Sequence, residues 1–359
     1  MIRVLQNNRG IALILTILVV SLIVAFTIQF NRTMRTHVMS SAANENQLKA
    51  LYRAKSGISC ALAMLMEDDS PEVTTLFELK SKLNQEGTEI EEICDELEEL
   101  SPCSLGKFKL LENCEFEIID ECGKIQLNSL PEMEAKLGKT GKTQVESLLK
   151  RYLGEFGLKS AYYEDTSPPW YTILNWIDTD ENNRGVGFDF SEDNSKNGPL
   201  YSLNELRLIE GLRPESLSKV IESDDDMLED EGHSSVSDLF DDIIEHLTVF
   251  VATDGKININ TASLEVLMSL HEGMNEDMAA EIKAYRCGKA VNSAALESPT
   301  WYRNDAHVDI DISKELITTT SNIFRIDSTG SFGDLKKRIV AVVKRQDEKE
   351  FQILSWKVE

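Results

Sequence analysis

The chain has 359 residues, 62 of them acidic against 37 lysines and arginines, which gives a formal net charge of −25. Such a length accommodates about two or three domains. A surface this acidic repels phosphate backbones and argues against a nucleic-acid-binding protein, and it offers the hard oxygen ligands that calcium prefers.

The first thirty residues are the most distinctive part of the sequence. A polar leader, residues 1–10, carries Arg3 and Arg9 and ends in Gly10, and residues 11–30 form an apolar run without a charge. That run is long enough to span a bilayer as a helix. A secretory signal peptide has a shorter apolar core with a small-residue cleavage site directly after it. The pattern predicts an apolar helix that stays on the chain.

This leader resembles that of type IV prepilins and pseudopilins, in which the apolar helix first anchors the chain and later packs inside a filament. Most pilin-like proteins carry Glu at the fifth mature position. Counting from Ile11, this chain has Leu15 there, which is a mark of the general secretion pathway protein K family. A buried carboxylate needs a cationic partner, so a subunit lacking it suits a place with no subunit above it, at a fibre tip. The simpler alternative is an ordinary N-terminal anchor helix.

The membrane orientation is weakly encoded, since Arg3 and Arg9 precede the apolar run and Arg32 and Arg35 follow it. The leader pattern is what predicts a cytoplasmic N-terminus and a periplasmic body.

The next segments predict a helix followed by strands. Residues 47–66 have apolar side chains at helical spacing and end before an Asp-Asp-Ser-Pro stop. Residues 72–106 are acidic, and no function is assigned to them. Cys114, Phe116 and Ile118 alternate with glutamates, which predicts a half-buried strand. A turn at residues 122–124 then predicts a hairpin with residues 125–127.

The spacing of apolar residues differs between the middle and the end of the chain. Residues 131–247 have a helical pattern, with a helix at 143–158 and a flexible acidic loop at 223–232. Helices are also predicted at 264–270, capped by Thr261 or Ser263, and at 277–286. Residues 324–345 predict a hairpin and residues 351–356 a last strand. Strands on both sides of a helical block predict an α+β fold interrupted by an insertion.

The predicted fold class is α+β and pilin-like, with a long N-terminal transmembrane helix and an antiparallel sheet, interrupted by an inserted, mainly helical domain of helix-hairpin-helix or SAM-like type. The predicted divisions are a prepilin leader at 1–10, the transmembrane part of the helix at 11–30, its periplasmic part at 31–67, the first part of the head at 68–130, the inserted domain at 131–247, a return segment with a helical hairpin at 248–322 and C-terminal strands at 323–359.

Further segments resemble the general secretion pathway protein K family, the large minor pseudopilin of type II secretion, and together they extend over most of the chain. They are the leader with Leu15, YRAKSGISCALAML at 52–65, CGKIQLNSL at 122–130, NWIDTDE at 175–181, KNGPLYSLNELRLIEGL at 196–212, residues 247–270, and residues 324–345 with ILSW at 353–356. Residues 74–105 and 223–232 are longer than is usual in the family, and the family's proline-containing run after Asp180 is absent.

The resemblance implies a protein without catalytic activity. It implies cleavage between Gly10 and Ile11 and N-methylation of Ile11 by prepilin peptidase, a single span of the bacterial inner membrane and a large periplasmic domain. It also implies a position at the tip of the pseudopilus with the minor pseudopilins I and J, where the chain would help to initiate fibre assembly and contact secreted cargo. The inserted domain would be too wide to pass the outer-membrane secretin easily.

An oxygen-rich segment is the candidate metal site. Asp178, Asp180 and Asn182 imitate the first ligands of a calcium loop, but the sixth position is Asn183 rather than Gly. The full candidate set is Asp178, Asp180, Asn182, Asp189, Glu192 and Asp193. Family members bind calcium in this head, which is why calcium is the expected cofactor. The alternative is an exposed Asx-turn loop.

The six cysteines are Cys60, Cys94, Cys103, Cys114, Cys122 and Cys287. A periplasmic location permits disulfides, and the cluster of Cys94, Cys103, Cys114 and Cys122 is expected to contain one. Sequence does not choose among the pairings. A zinc site is the alternative, disfavoured because no CxxC pair is present.

Two segments, 206–212 and 264–286, look like helix-hairpin-helix units with Gly211 and Gly273 at the hairpins. Such units bind DNA phosphate in other proteins, but Glu210 and Glu272 lie where a phosphate would bind. No GxSxG, HExxH or phosphate-loop motif supports an enzyme. The rival hypotheses are therefore a minor pilin of a type IV pilus and, from another class, a membrane-anchored DNA receptor.

Overall fold

The computed structural model describes residues 8–66, 101–110, 113–158, 168–178, 196–223, 235–252, 254–289, 293–347 and 350–359. The α-helices in these ranges are α1 (Asn8–Met66), α2 (Leu130–Leu137), α3 (Gly141–Glu155), α4 (Pro169–Ile177), α5 (Pro214–Ser223), α6 (Val236–Glu245), α7 (Leu264–Ser269), α8 (Glu276–Lys289) and α9 (Trp301–Asn304). The strands are β1 (Ser104–Lys109), β2 (Cys114–Asp120), β3 (Ile125–Gln126), β4 (Leu247–Thr248), β5 (Ile257–Asn258), β6 (Ile317–Thr318), β7 (Ile323–Phe332), β8 (Leu335–Asp347) and β9 (Glu350–Val358).

Helix α1 is a single helix of 59 residues that joins the apolar run to the helix predicted at 47–66. Its first part is exposed, and its last turns bury one face. The buried residues of that face follow helical spacing and are Ala50, Ala54, Gly57, Ile58, Ala61 and Leu65. Small residues dominate this stripe, which lets the helix backbone approach the sheet closely.

The sheet is an antiparallel meander with the order β1-β2-β7-β8-β9, so each strand pairs with its neighbour along the chain once the long insertion is set aside. The hairpin and the last strand predicted from the sequence are confirmed. Gly333 turns the hairpin with a φ of 58°. The helix and the sheet enclose a first core, whose fully enclosed members include Ala54, Ala61, Ile118, Phe324, Ile326, Ile339, Ala341 and Val343.

The predicted hairpin between residues 114–118 and 125–127 is wrong. Strand β2 pairs with β1 and with β7, whereas Ile125 and Gln126 pair in parallel with β4. A 3₁₀ turn at Glu121–Gly123 directs the chain away from the sheet. Alternation predicts a strand and its buried face but does not identify the strand beside it, because that partner is often distant in sequence.

The insertion between β2 and β7 is a helical unit with a second hydrophobic core. The predicted helices at 143–158, 264–270 and 277–286 are confirmed as α3, α7 and α8. Leu148 of the predicted inserted domain and Val266 of the predicted return segment are both fully buried in this one core. The predicted domain boundary at residue 247 stays a prediction. Side chains from both sides of it pack in the same core.

These observations confirm the α+β class with a long apolar N-terminal helix and an antiparallel sheet. The two connections to the helical unit leave neighbouring strands at the same end, because Asp120 pairs with Phe324. The insertion therefore replaces a single loop of the meander.

Candidate functional site

The first half of α1 is a continuous apolar surface. Its side chains are exposed, Leu15 to 62% and Phe26 to 75%. The hydroxyls of Thr16, Ser21 and Thr27 each donate to a carbonyl oxygen of the preceding turn, at 2.8 Å. These polar groups are satisfied within the helix, as a helix surrounded by hydrocarbon requires.

In the part of the chain that the structure describes, one helix is long and apolar enough to cross a membrane, and it is α1 from Gly10 onward. Gly10, Ile11 and Leu15 lie in this exposed part. Residues 1–7 lie outside the described residues. Cleavage at Gly10 and methylation of Ile11 stay predictions.

Two glycines set the distance between α1 and the sheet. A Cβ on Gly57 would strike Ser328 Oγ and would lie 3.0 Å from Cys114 Sγ. A Cβ on Gly330 would strike the carbonyl oxygen of Ala50 and the amide nitrogen of Ala54. The helix is therefore seated by backbone contact on β7 rather than by long interdigitating side chains.

Two arginines fasten the ends of this contact. Arg53 donates to the carbonyl oxygen of Ser331, and its guanidinium lies 4.8 Å from the centre of the Phe332 ring. The buried Arg345 donates from Nη2 to the carbonyl oxygen of Leu65, at 2.8 Å. That carbonyl belongs to the last turn of α1, where the helix itself supplies no donor.

The junction between the two cores is built around the buried carboxylate of Asp120. Its Oδ1 accepts from the amide of Cys122 at 2.8 Å. Its Oδ2 accepts from Thr261 Oγ1 at 2.6 Å, Ser321 Oγ at 2.6 Å and Asn258 Nδ2 at 3.1 Å. One side chain thus joins the connection leaving β2, the connection entering β7 and the loop after β5.

The titratable side chains at this junction are buried. Burial raises the pKa of Asp120, and the four donated hydrogen bonds offset only part of that increase. Burial also acts to raise the pKa of Glu121, but Lys124 and Arg325 outweigh it and hold that pKa below its ordinary value. Their nitrogens lie 3.4 and 3.5 Å from Glu121 Oε1.

Polar residues in the segments that resemble the family form hydrogen bonds with loops of the helical unit. Asn128 donates to the carbonyls of Leu200 and Val249 and accepts from the amide of Leu200. Asn260 accepts from Trp301 Nε1 at 2.8 Å. These contacts give the segments 122–130 and 247–270 a structural role in the helical unit.

The cap of α7 is Ser263, whose Oγ accepts from the amide of Val266. Thr261, the other candidate, donates its hydroxyl to Asp120 instead. Sequence reasoning does not single out Asp120, and the one signal available is its place between an alternating strand and the Cys122-Gly123 turn.

The expectation of a disulfide within the cluster of Cys94, Cys103, Cys114 and Cys122 is wrong for its three described members. Cys103, Cys114 and Cys122 are free thiols, each enclosed by the packing of a core or its junction, and Cys60 is free as well. Cys287 is disulfide-bonded, and Cys94 lies outside the described residues.

Burial makes most of these thiols unreactive. It raises the pKa of Cys103 to about 12 and that of Cys122 well above the ordinary value. The thiolate is the nucleophile, so we expect a maleimide at pH 8 to modify the partly exposed Cys60 first among the four. Cys103 and Cys122 should react only after unfolding, as peptide mass spectrometry of timed samples will show. Equal rates for Cys103 and Cys60 would contradict the packing.

The candidate calcium site is described at one residue only. Asp178 follows α4 as its C-cap residue, and its amide donates to the carbonyl oxygen of Leu174 at 2.9 Å. Asp180, Asn182, Asp189, Glu192 and Asp193 lie outside the described residues. Elsewhere, the described ranges contain no group of three or more His, Cys, Asp or Glu arranged to hold a metal ion. Calcium binding stays a prediction.

The glycines of the two helical hairpins make contacts within the chain. Gly211 has a φ of 90°, and a Cβ there would lie 3.1 Å from Pro169 of α4, so it faces the protein. The amide of Gly273 donates to Nδ1 of His271 at 3.0 Å. The amide of Gly273 is therefore occupied by the chain itself. The expected absence of nucleic acid among the partners stays a prediction.

Helix α1 is thus a long exposed apolar helix that continues into a helix packed on an antiparallel sheet. No family model matches the sequence, and no curated protein is found as a relative. Among solved structures, a chain of the crystal structure of the GspK-GspI-GspJ complex from the type 2 secretion system of enterotoxigenic Escherichia coli is similar. The identity is 14%, the TM-score is 0.49, and the match covers 89% of this chain and 99% of that chain.

Proposed function

We propose that the chain is a minor pseudopilin of a type II secretion system, without catalytic activity. Prepilin peptidase cuts it between Gly10 and Ile11 and methylates the new amino terminus. Residues 11–30 then anchor it in the bacterial inner membrane, with the rest of the chain in the periplasm.

The observation that carries this proposal is the division of α1 into two parts. Its first half exposes apolar side chains and satisfies its own hydroxyl groups, as suits a membrane and later a fibre core. Its last turns are seated on the sheet through Gly57 and Gly330. A separate anchor would need no such rigid attachment, whereas a fibre subunit transmits force from the helix to the head.

The place at the tip follows from Leu15 and from the size of the insertion. Leu15 offers no carboxylate with which the amino terminus of another subunit could pair. The chain therefore lacks the ion pair that would join it to a subunit above it. The helical unit at residues 121–322 adds a second hydrophobic core beside the pilin-like head. We infer that this subunit caps the pseudopilus with the minor pseudopilins I and J, helps to initiate its assembly and contacts secreted cargo. A calcium ion bound around residues 178–193 belongs to the same proposal.

The proposal is tested by the amino terminus of the mature chain. We expect membranes from cells with prepilin peptidase to contain a chain that begins at N-methylated Ile11, and membranes without the peptidase to retain residues 1–10. Intact-mass and N-terminal peptide measurements distinguish the two. A Gly10→Phe variant should stay unprocessed in both strains because a bulky ring replaces the small residue at the cleavage site. Retention of the leader in both strains by the unaltered chain would remove it from the pseudopilin class.

A deletion strain separates type II secretion from a type IV pilus. Loss of secreted enzymes from the medium, with surface fibres and motility unchanged, is the outcome expected here. Loss of motility with normal secretion would favour the minor pilin.

A further inference from the structure

Strand β9 extends the α1 face of the sheet beyond the helix that covers it. Ile339, Ala341 and Val343 of β8 are fully buried beneath α1, and they pair directly with Val358, Trp356 and Ile353. Directly paired residues of antiparallel strands project from the same face. The three side chains of β9 therefore lie on the α1 face, yet they are 46%, 41% and 54% exposed.

The flank of α1 forms the wall beside this floor. Gly57 lies on the flank that faces Cys114 of β2, so the opposite flank faces β8 and β9 across the sheet order. At about 100° per residue, Leu51 and Leu62 lie on that opposite flank, and both are partly buried against the first core. We name the depression between Leu51 and Leu62 on one side and Ile353, Trp356 and Val358 on the other the α1–β9 groove.

The groove runs along α1. The start of the seated part of α1 contacts the β7–β8 turn, through Arg53 and Phe332, and its end contacts Arg345 of β8. Strand β8 therefore follows α1 in the same direction, and β9 lies beside it. A segment lying in the groove would run alongside α1, toward or away from the same membrane.

The rim of the groove nearest the membrane is basic in a chain of net charge −25. Lys55 lies on the groove flank of α1, with its ammonium 5.4 Å from the centre of the Tyr52 ring. Lys337 pairs with Gly330, which contacts α1, so it also projects from the α1 face. Neither lysine forms an ion pair with any carboxylate of the described residues. Carboxylates of a partner would complement this rim.

We propose that the α1–β9 groove receives a long amphipathic helix of a second membrane-anchored chain, running beside α1 with an apolar stripe on β9 and carboxylates near Lys55 and Lys337. The inference rests on the proposed function, which requires such chains as neighbours. A helix fits better than an added strand because the exposed apolar side chains rise from the face of the sheet, as those beneath α1 do, rather than from its edge.

Site-specific photocrosslinking tests the occupant. Benzoylphenylalanine is placed at position 356 of the full-length chain, expressed in its membrane together with the two smaller minor pseudopilins of the same cell. We expect an adduct with one of those chains, mapped by peptide mass spectrometry to its long N-terminal helix. The matched control is position 352, which is exposed on the same strand but pairs with Lys344 on the opposite face. It should give no such adduct.

Charge reversal tests the rim. We expect the double variant Lys55→Glu and Lys337→Glu to lower the adduct yield from position 356 about tenfold, since two ion pairs become two repulsions. Lys336→Glu is the control, because Lys336 is exposed on the opposite face of β8. An unchanged yield in the double variant would overturn the proposed chemistry of the partner.

The remaining outcomes are decisive as well. An adduct with residues 67–100 of the same chain, with a second copy of it or with lipid alone would overturn the inference. So would an absent adduct in membranes where the smaller subunits still co-purify with the chain, and there the proposed function would stand. If the smaller subunits neither co-purify nor form adducts, the proposed function fails and the inference with it.

Discussion

Replacing Gly330 by valine should detach α1 from the sheet. Even a single Cβ at this position would strike the backbone of Ala50 and Ala54, and backbone atoms of a helix cannot turn aside as a side chain does. We expect Gly330→Val to lower the free energy of unfolding by about 4 kcal/mol or more. Thermal unfolding of the detergent-solubilised chain, followed by tryptophan fluorescence, measures this effect.

Thr329→Val is the matched control for this substitution. Thr329 precedes Gly330 on β7, is partly exposed and faces away from α1, so a β-branched residue there suits the strand. A similar loss of stability in both variants would mean that Gly330 is not a contact point of the helix. Trypsin cleavage after Arg53 gives a second readout, because undocking frees this side chain from Ser331 and Phe332.

The same variant separates stability from processing. Gly10 lies in the first turn of α1, whereas Ala50 lies many turns later on the same helix, where its seated part begins. On the function proposed above, the leader of Gly330→Val should therefore be removed normally while assembly fails. This outcome would place the defect in the helix–sheet contact rather than in recognition by the peptidase.

Local periodicity predicts the parts of this fold that depend on neighbours in sequence. The apolar run and the small-residue stripe from Ala50 to Leu65 require only a helical period, and the β7–β8 hairpin requires only a short turn at Gly333. The predictions that failed depend on distant partners. Strand β2 pairs with β7 across the whole helical unit, and the thiols of Cys103 and Cys122 are enclosed by segments far along the chain.

The junction illustrates why the rest could not be predicted. Asp120 has no special neighbour in sequence, and its partners Asn258, Thr261 and Ser321 lie far along the chain, beyond most helices of the insertion. The exposed side chains of β9 are a second case, because alternation predicts a strand without showing that α1 stops short of it. Both features arise from the insertion between neighbouring strands, which is a property of the whole fold.

Replacing Asp120 by alanine should loosen the helical unit from the sheet. The substitution removes one acceptor from four donors. Asn258 Nδ2 keeps Ser321 Oγ as an acceptor at 2.8 Å, but the amide of Cys122 is buried where water does not replace the lost carboxylate. A buried donor without an acceptor costs about 1–3 kcal/mol. We expect a total loss of about 3–5 kcal/mol, measured as the free energy of unfolding in denaturant. Asp311→Ala is the control: its carboxylate pairs with Arg303 at the surface, and such a pair contributes about 1 kcal/mol or less.

The pH dependence of stability distinguishes the effect of the titratable carboxyl group of Asp120 from the effect of its side-chain shape. Burial raises the folded pKa of Asp120 above its unfolded value, so its contribution is complete below the unfolded pKa of about 3.9 and declines as the pH rises through the folded pKa. The stability difference between the unaltered chain and Asp120→Asn should therefore be larger at acid pH than at neutral pH. The asparagine keeps the shape of the aspartate side chain. Its NH₂ group, however, either faces other donors or leaves one side of the junction without a hydrogen bond. A difference that grew with rising pH would mean that the ionised form is the one the junction stabilises, and that the hydrogen bonds from Thr261 and Ser321 outweigh the cost of burying the charge.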